Sequence, residues 1–337
     1  MSTPGTVSVI GAGSWGTALA QQLARRQHQV RLWGRNREHL AEINRIRCNQ
    51  RYLPNITLSD NVTAFDLADP SLSQTLKDSQ LILLVVPSSA FRETIIKIKP
   101  YCSDNTLLAW ACKGLEQDSA KRLHQILLEE WPGIQRYGVI SGPTFALELA
   151  KGYPTAITVA ANSDQASGDI ADFLHGDRLR CYTSTDIVGV ELGGAIKNAL
   201  AIATGIADGL NFGANTRSAL ITRGLSEMVK LGAALGGQAN TFYGLAGLGD
   251  LILTCTDDQS RNRQLGLALG RGHSLTDALE AIDQVVEGVN TARELHQLMQ
   301  THNIDMPICD SVYRVLYEGL APTDAVYSLL ERELKAE

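Results

Sequence analysis

The chain has no excess of positive charge and no long apolar run. Its 30 Lys and Arg residues are outnumbered by 36 Asp and Glu residues, which gives a formal net charge of −6. Because nucleic acids and anionic membranes are bound mainly through clustered basic side chains, neither is an expected partner. The purely apolar run Leu81–Val86 is far shorter than the roughly 20 residues that span a bilayer, and we find no targeting segment. We therefore expect a cytoplasmic protein without membrane insertion.

The chain also lacks the residue clusters that bind metals. Its six cysteines include no CxxC pair and no Cys/His cluster, and its seven histidines include no HxxxH or HxH pair. Metal sites usually show such spacings, and structural disulfides are typical of oxidising compartments. We therefore predict no metal site and interpret the cysteines as free thiols in a reducing cytosol.

The length of 337 residues suggests two domains, each able to bury a core. Short β-branched or aliphatic runs alternate with helical patterns up to Ile187, which is typical of a parallel sheet flanked by helices. The predicted strands are Thr6–Ile10, Gln29–Trp33, Leu81–Val86, Thr106–Ala111, Tyr137–Ile140, Ala156–Ala160 and Arg178–Tyr182. Gln21–Arg26 is expected on the first helix and Ser119–Glu130 on a later one.

Helical patterns dominate the rest of the chain. The predicted helices are Val188–Leu210, Thr216–Leu235, Arg261–Gly270, Ser274–Ile282, Thr291–His302, Asp310–Glu318 and Pro322–Glu333. No internal repeat and no low-complexity linker interrupts them. The sequence thus predicts an α/β domain over residues 1–188 and an all-helical domain over residues 189–337.

A glycine-rich motif follows the first predicted strand. Gly11-Ala12-Gly13-Ser14-Trp15-Gly16 has the GxGxxG spacing and precedes an alanine-rich helix. In this context Gly11 permits a tight turn, Gly13 lets the backbone approach a pyrophosphate, and Gly16 lets helix and strand pack closely. The alternative is a simple glycine-rich turn. Its position directly after a strand favours dinucleotide binding.

The residues at the end of the second predicted strand indicate which dinucleotide is bound. A ribose 2′-hydroxyl is usually held by a carboxylate at this place, whereas Gly34-Arg35-Asn36-Arg37 offers no acid before Glu38. Arginine suits a 2′-phosphate, so NADP(H) is favoured and NAD(H) use remains open. The alternative is that Arg35 and Arg37 are solvated loop charges.

Lys197 is a lone lysine in the mostly apolar segment Gly194–Asn215. A buried ammonium is costly unless it is partnered or its pKa falls. Asp208 lies on the same face but about 16 Å along the axis, and Glu191 points about 120° away, so neither is a helical partner. Lys197 therefore either reaches solvent or faces a cleft where a ligand meets it.

Two further candidates follow strands at the edge where parallel sheets bind ligands. Lys113 follows TLLAWAC, and Gly142 and Thr144 follow YGVI before a helix that starts near Phe145. Free amides and the Thr144 hydroxyl at such a helix start suit a substrate oxygen. The alternatives are a solvated lysine and an ordinary helix cap.

The helical half contains two more candidates. Asp250 is the only charge in Phe242–Cys255, so it is either a turn residue after Gly249 or a buried carboxylate that partners Lys197; Thr254 lies one helical turn later. Ser260-Arg261-Asn262-Arg263 opens a helix, and amides, a hydroxyl and a guanidinium there suit a phosphate. The alternative for this segment is a capped surface helix.

Together these segments resemble the bacterial-type NAD(P)-dependent glycerol-3-phosphate dehydrogenases. The resemblance covers nearly the whole chain and rests on GAGSWGTALA, ACKGLE, SGPTFA, GAIKNALAIATGIADGLNFGANT, GLAGLGDLILTC and SRNRQLG. It implies an α/β Rossmann-like N-terminal domain and an all-α C-terminal domain like that of the 6-phosphogluconate dehydrogenases. Two positions depart from the usual pattern: Cys112 stands where Ser or Thr is frequent, and Asn36 where a second basic residue is common.

The resemblance also implies roles for single residues. Lys197 falls on the proton acceptor of the family, with Lys113 and Asp250 beside it in the catalytic group. The implied substrate contacts are Lys113, Gly142, Thr144, Lys197, Asp250, Ser260, Arg261 and Asn262. The implied cofactor contacts, besides the three glycines, are Ser14, Trp15, Arg35, Lys113, Ala146, Arg261, Val285 and Glu287.

The activity implied is the reversible reduction of dihydroxyacetone phosphate to sn-glycerol 3-phosphate with NAD(P)H, which supplies the backbone of phospholipids. Two alternatives remain at this point: a hydroxyacid-type dehydrogenase of the same two-domain plan, and a dinucleotide sensor without catalysis. The sequence does not fix the oligomeric state, for which a homodimer is our hypothesis.

Overall fold

The computed structural model describes residues 4–176 and 178–330. These residues form two compact units. Unit 1 comprises the residues up to Cys112 together with Leu123–Val190, and unit 2 comprises Lys113–Arg122 together with the residues from Glu191 onward. The predicted division, a single cut after residue 188, leaves Lys113–Arg122 in the first domain. The structure groups this segment with unit 2, where Arg122 donates from Nη1 to the carbonyl of Leu235 at 2.7 Å.

Unit 1 is built on one sheet. Its strands are β1 (Thr6–Ile10), β2 (Gln29–Gly34), β3 (Val62–Asp66), β4 (Leu81–Leu84), β5 (Leu107–Trp110), β6 (Arg136–Ser141), β7 (Thr155–Ala161) and β8 (Leu179–Ser184). They are ordered β3-β2-β1-β4-β5-β6-β7-β8. The strands from β3 to β6 are mutually parallel, which is the order of a Rossmann sheet with its switch point between β1 and β4.

Two features of this sheet differ from the expectation. β3 was not predicted, because its alternating pattern is short: only Val62 and Ala64 of its five residues are buried. β7 pairs with β6 in the antiparallel direction, and β8 follows β7, so the sheet is mixed where a parallel one was expected. Strand direction is set by how the connections pack, and the pattern of β7 alone did not reveal its direction.

Helices cover the sheet of unit 1. They are α1 (Ser14–Arg25), α2 (Arg37–Ile46), α3 (Leu72–Asp78), α4 (Phe91–Ile98), α5 (Leu123–Glu130), α6 (Ala146–Lys151) and α7 (Asp164–Leu174). The predicted start of α5 at Ser119 is wrong. Asp118 and Ala120 have φ of 66° and 53°, and such left-handed residues do not continue a right-handed helix.

Unit 2 is helical over its described residues from Glu191 onward, whereas Lys113–Arg122 is irregular. Its helices are α8 (Ile187–Gly209), which begins within unit 1, and α9 (Gly213–Ala234), α10 (Ala239–Phe242), α11 (Asp250–Thr256), α12 (Arg261–Gly270), α13 (Leu275–Ile282), α14 (Glu287–His302), α15 (Pro307–Tyr317) and α16 (Pro322–Leu330). A π-helical turn, Leu245–Gly249, leads into α11. Residues 331–333 of the last predicted helix lie outside the described chain.

The central helix of unit 2 is α8. It is long and apolar enough to cross a membrane, but 89% of its most apolar window is buried inside the protein, as in a core helix. Glycines on both helices allow α8 and α12 to cross at backbone distance: a Cβ on Gly205 of α8 would lie 2.4 Å from the carbonyl oxygen of Arg263, and one on Gly266 of α12 would lie 2.2 Å from that of Ile202. This crossing fixes the first turn of α12 beside the helix that carries Lys197.

Candidate functional site

Lys197 is buried and has partners. Only 7% of the residue is exposed, and its Nζ donates to Asp250 Oδ1 at 2.8 Å and to Thr254 Oγ1 at 2.7 Å. Lys113 Nζ donates to the other carboxylate oxygen, Asp250 Oδ2, at 2.6 Å. Of the two alternatives for Asp250, the buried partner of Lys197 is therefore confirmed. We call Lys113, Lys197, Asp250 and Thr254 the lysine centre.

The geometry of the lysine centre follows from its elements. Lys197 lies in the middle of α8, and the π-helical turn brings Asp250 to the first position of α11. Thr254, one turn later, shares the Asp250 face, as expected for residues four apart. Its hydroxyl also donates to the Asp250 carbonyl at 2.6 Å, which leaves the oxygen lone pairs to accept from Lys197. π-Helical turns of this kind are frequent at functional sites.

The charges of the lysine centre perturb one another. Burial lowers the pKa of Lys197 to about 8; the Asp250 carboxylate acts to raise it and the Lys113 ammonium to lower it. Burial acts to raise the pKa of Asp250, but the ammonium groups of Lys113 and Lys197 outweigh burial and hold that pKa below its usual value. The result is an amine that titrates near neutral pH beside a carboxylate that stays ionised.

A relay of side-chain amides runs from the lysine centre to the start of α14. Asn198 Nδ2 donates to the carbonyl of Lys113 at 3.3 Å, and Asn262 Nδ2 donates to Asn198 Oδ1 at 2.9 Å. The amide nitrogen of Gly288 in turn donates to Asn262 Oδ1 at 2.9 Å. Next to this relay, Arg261 Nη1 donates to the carbonyl of Val285 at 2.8 Å. Two neighbouring residues of α12 thus hold the segment that contains Val285 and Glu287.

The start of α12 has features of both a capped helix and an anion site, the two alternatives that the sequence offered. Ser260 caps the helix, since its Oγ accepts from the amide of Arg263 at 3.3 Å, while Arg261 is exposed at the first helical position. The amides of a first helical turn favour an anion, and a guanidinium adds charge-assisted donors. An ordinary N-cap and an anion seat are therefore compatible here.

In unit 1, the glycine-rich turn lies at the switch point of the sheet. Gly11 has φ +123°, and a Cβ there would lie 2.2 Å from the carbonyl oxygen of Val85; a Cβ on Gly16 would lie 1.8 Å from that of Gly11. By contrast, a Cβ on Gly13 would meet nothing within 4 Å among the described atoms. Two glycines are needed for close packing, and the third leaves room above the turn.

The surroundings of this turn also fit a dinucleotide. The N-cap residue of α1 is Gly13, so no side chain caps the first amides of this helix. The buried Nε1 of Trp15 has no hydrogen-bond partner among the described residues. The Ser14 hydroxyl donates to the carbonyl of Tyr52 at 2.6 Å, so it holds the neighbouring loop, and Arg35 is exposed at the end of β2. These groups fit a dinucleotide whose pyrophosphate accepts from the amides of α1.

The remaining predicted residues of unit 1 follow β6. Gly142 has φ +148°, the buried Thr144 Oγ1 has no partner in the described chain, and Ala146 begins α6. Within the described residues, no three His, Cys, Asp or Glu side chains are grouped as a metal site requires. The predicted site residues therefore form two sets. Unit 1 holds Gly11, Gly13, Ser14, Trp15, Gly16, Arg35, Gly142, Thr144 and Ala146, and unit 2 holds Lys113, Lys197, Asp250, Ser260, Arg261, Asn262, Val285 and Glu287.

Sequence reasoning left two contributors out of the predicted site. Thr254 was recognised as sharing a face with Asp250, but its hydroxyl turns out to be an acceptor for Lys197. Asn198 was missed, although a polar residue directly after the lone lysine of an apolar helix is itself unusual. That second interruption of the apolar pattern was the available signal.

A Rossmann-type sheet with an open glycine-rich turn and a helical unit with a buried lysine centre define the class of two-domain, dinucleotide-dependent dehydrogenases. The chain belongs, more narrowly, to the NAD-dependent glycerol-3-phosphate dehydrogenase family. The family model for the N-terminus matches residues 6–167, and the one for the C-terminus matches residues 186–327. The resemblance noted from the motifs is thereby confirmed, as is the predicted fold class.

Named relatives support this placement along the whole chain. The sequence is 53% identical over 337 residues to the glycerol-3-phosphate dehydrogenase (NAD(P)+) of Thioalkalivibrio sulfidiphilus, with 100% of both chains covered. It is 51% identical to that of Halorhodospira halophila over 98% of both chains. The crystal structure of glycerol-3-phosphate dehydrogenase from Coxiella burnetii superposes with a TM-score of 0.93 at 47% identity, covering 98% of this chain and 99% of that one.

Proposed function

We propose that this protein catalyses the reversible reduction of dihydroxyacetone phosphate to sn-glycerol 3-phosphate with NAD(P)H. Family membership over the full length supports the reaction. The observation that carries the proposal is the buried amine of Lys197, 2.8 Å from the Asp250 carboxylate and with its pKa lowered to about 8. Such an amine suits general acid–base chemistry near neutral pH.

The lysine centre explains how the oxygen of the ketone is handled. When bound, the dinucleotide supplies the hydride that C2 of the ketone accepts. Lys197 has three N–H groups, and Asp250 and Thr254 accept two of them. We assign the third to the substrate oxygen, where the ammonium stabilises the growing negative charge and then donates its proton. In the reverse direction the neutral amine accepts the hydroxyl proton.

The neighbours of Lys197 determine the net charge of the lysine centre before and after this proton transfer. Because burial lowers the pKa of Lys197 to about 8, both the ammonium and the neutral amine are accessible near neutral pH. After it has donated a proton, Asp250 and Lys113 remain as a neutral ion pair at 2.6 Å. The centre therefore returns to its starting charge by taking up one proton from solvent.

The phosphate of the substrate is assigned to the start of α12. Arg261 and Asn262 offer first-turn amides and a guanidinium, and Ser260 offers a hydroxyl, which are donors that suit phosphate. Gly142 and Thr144 are proposed as additional substrate contacts, in line with the family resemblance. Ser260, Arg261 and Asn262 are called the phosphate seat.

The cofactor is assigned to the glycine-rich turn. Gly11, Gly13, Ser14, Trp15 and Gly16 would hold the pyrophosphate region, and the exposed Arg35 would pair with a 2′-phosphate, which favours NADP(H) over NAD(H). Ala146, Lys113, Arg261, Val285 and Glu287 complete the proposed cofactor contacts. We further propose a cytoplasmic homodimer whose product supplies phospholipid synthesis.

One assay tests the function against its alternatives. NADPH absorbance is followed with dihydroxyacetone phosphate, then with 2-keto acids, and then without a ketone. We expect NADPH to be consumed with the phosphorylated ketone and to be stable in the other two mixtures. Turnover of 2-keto acids alone would identify a hydroxyacid dehydrogenase, and binding of NADPH without turnover of any ketone would identify a sensor.

A further inference from the structure

We propose that Arg263 is a positioning residue that fixes the distance between the lysine centre and the phosphate seat, and thereby the preference for a phosphorylated ketone. The inference rests on the proposed function and deepens it. Arg263 is the fourth residue of the SRNR segment, and neither the predicted site nor the mechanism uses it.

The Arg263 side chain is buried and donates to three different segments. Only 6% of the residue is exposed. Its Nε donates to Asp258 Oδ1 at 2.8 Å, and its Nη1 donates to Asp208 Oδ2 at 2.5 Å and to the carbonyl of Cys255 at 3.1 Å. Its own amide is capped by Ser260. Arg263 therefore organises the first turn of α12 through both its main chain and its side chain.

Each acceptor belongs to an element that carries a part of the proposed site. Cys255 directly follows Thr254 in the last turn of α11, and Asp208 lies near the end of α8, the helix of Lys197. Asp258 lies in the connection between α11 and α12. One planar guanidinium thus ties the two helices of the lysine centre to the helix that begins with the phosphate seat.

This tie matters because the substrate has a fixed length. In dihydroxyacetone phosphate a single CH₂–O link joins the reacting carbonyl to the phosphate. The oxygen can therefore meet Lys197 only if the phosphate seat lies at the matching distance. A displacement of about 1 Å is enough to cost up to about 10²-fold in rate. A ketone without phosphate is not subject to this constraint.

Arginine suits this task better than lysine. The guanidinium fork is planar and reaches several acceptors at set angles, whereas an ammonium is a point charge on a flexible stem. Arg263→Lys retains the charge beside Asp208 and loses the fork. Since Asp208 also accepts from Arg217 at 2.8 Å, the carboxylate keeps a charged partner in every variant of Arg263.

The test compares two ketones in the same variant. For Arg263→Lys we expect kcat/KM with dihydroxyacetone phosphate to fall about tenfold or more. With unphosphorylated dihydroxyacetone, kcat/KM should stay within about twofold, so the ratio of the two values falls. Arg217→Gln is the matched control, because it removes an ion pair to the same Asp208 carboxylate without involving α12. Its ratio should equal that of the native protein.

A second variant tests the same inference if Arg263→Lys does not fold. Asp258→Asn weakens the ion pair between Asp258 and Arg263. Because the Asp258 side chain is 73% exposed, the stability of the protein should change little. The ratio of kcat/KM for dihydroxyacetone phosphate to that for dihydroxyacetone should fall about threefold. Parallel loss on both ketones, or an unchanged ratio in Arg263→Lys and Asp258→Asn, would overturn the inference. If Arg261→Ala lowers the ratio while these variants do not, the phosphate seat stands and only the role of Arg263 falls. If the native protein does not reduce dihydroxyacetone phosphate, the proposed function falls and this inference with it.

Discussion

Lys197 shows how burial and neighbouring charges together set the chemistry of one amine. An isolated lysine has a pKa of about 10.4 and is a poor base at neutral pH. Burial moves the pKa of Lys197 to about 8, and the single carboxylate of Asp250 limits that fall. Asp250 also fixes the direction of the amine, because it accepts one of its N–H groups. The same carboxylate therefore controls both the pKa and the position of Lys197.

Removal of the amine should abolish most of the turnover. We expect Lys197→Ala to lower kcat at least ~10²-fold, the usual scale of general acid–base catalysis, in a protein that still folds and binds NADPH. The measurement is the steady-state reduction of dihydroxyacetone phosphate, with folding followed by circular dichroism. Lys230→Ala, an exposed lysine of α9, is the control. Near-native turnover in a folded Lys197→Ala protein would remove Lys197 from the mechanism.

The pH profile of alcohol oxidation should depend on Asp250. Oxidation needs the neutral amine, so kcat should rise with pH around the Lys197 pKa of about 8. Since the Asp250 carboxylate raises that pKa, we expect Asp250→Asn to shift the rising limb to lower pH and to lower its maximum. The measurement is kcat against pH for sn-glycerol 3-phosphate, with the exposed Asp283→Asn as control. A limb that stays in place or moves to higher pH would contradict this assignment.

At the scale of elements, the first turn of α14 depends on a glycine. A Cβ on Gly288 would lie 2.7 Å from Asn262 Oδ1 and 2.8 Å from the carbonyl oxygen of Asn198. The amide of Gly288 also ends the relay that begins at Lys113. The helix start that carries Glu287 can therefore approach α8 and α12 this closely only without a side chain at position 288.

Gly288→Ala should weaken cofactor binding. Overpacking of a tight contact costs about 1–3 kcal/mol, and α14 can relieve it by moving away from Asn262. Because that movement displaces the proposed cofactor contacts Val285 and Glu287, we expect the Kd for NADPH to rise about tenfold. The Kd is measured by quenching of protein fluorescence. Gly168→Ala is the matched control, because this glycine also lies in a helix and a Cβ there would meet nothing within 4 Å among the described atoms. Equal Kd values in Gly288→Ala and the native protein would show that the contact has no role in cofactor binding.

The predictability of the elements followed the strength of their patterns. β1 and α12 have the predicted bounds, because the turn glycine after Ile10 and the Ser260 cap before Arg261 are local signals of the sequence. α14 begins four residues before its predicted start at Thr291, since Gly288 weakens the helical pattern where packing requires it. The direction of β7 is a property of the connections and could not be predicted.

The lysine centre was predictable only in part. Lys197 was notable as a lone charge in an apolar helix, and Asp250 was the one carboxylate available in a second apolar segment. Their pairing joins residues 53 positions apart, so the sequence could offer it only as one of two alternatives. The direction of the Lys197 pKa shift could not be predicted from the sequence, because Asp250 and Lys113 act in opposite directions. It depends on the burial of Lys197 and on its distances from these two residues.

At the scale of the whole molecule, two buried titratable groups, His28 in unit 1 and Glu294 in unit 2, respond to pH with opposite sign. In unit 1, burial and the nearby Arg26 lower the pKa of the buried His28, whose Nδ1 accepts from the amide of Gly5 at 3.2 Å. Its stabilising contribution is present above the unfolded value of about 6.5 and is lost as pH falls. In unit 2, burial raises the pKa of Glu294 to about 7. Stability from Glu294 is present below about pH 4.5 and is lost as pH rises towards 7.

Glu294 gives the sharper test of this opposition. Only 1% of the residue is exposed, and neither carboxyl oxygen accepts a hydrogen bond from another described residue. At pH 8 the folded protein must therefore hold a buried carboxylate, which burial disfavours although Arg293 partly offsets this effect. Glu294→Gln imitates the protonated form, so we expect it to raise Tm by several degrees at pH 8 and by little at pH 5. Tm is measured by calorimetry, with the exposed Glu280→Gln as control; an equal change at both pH values would show that the carboxyl is not protonated on folding.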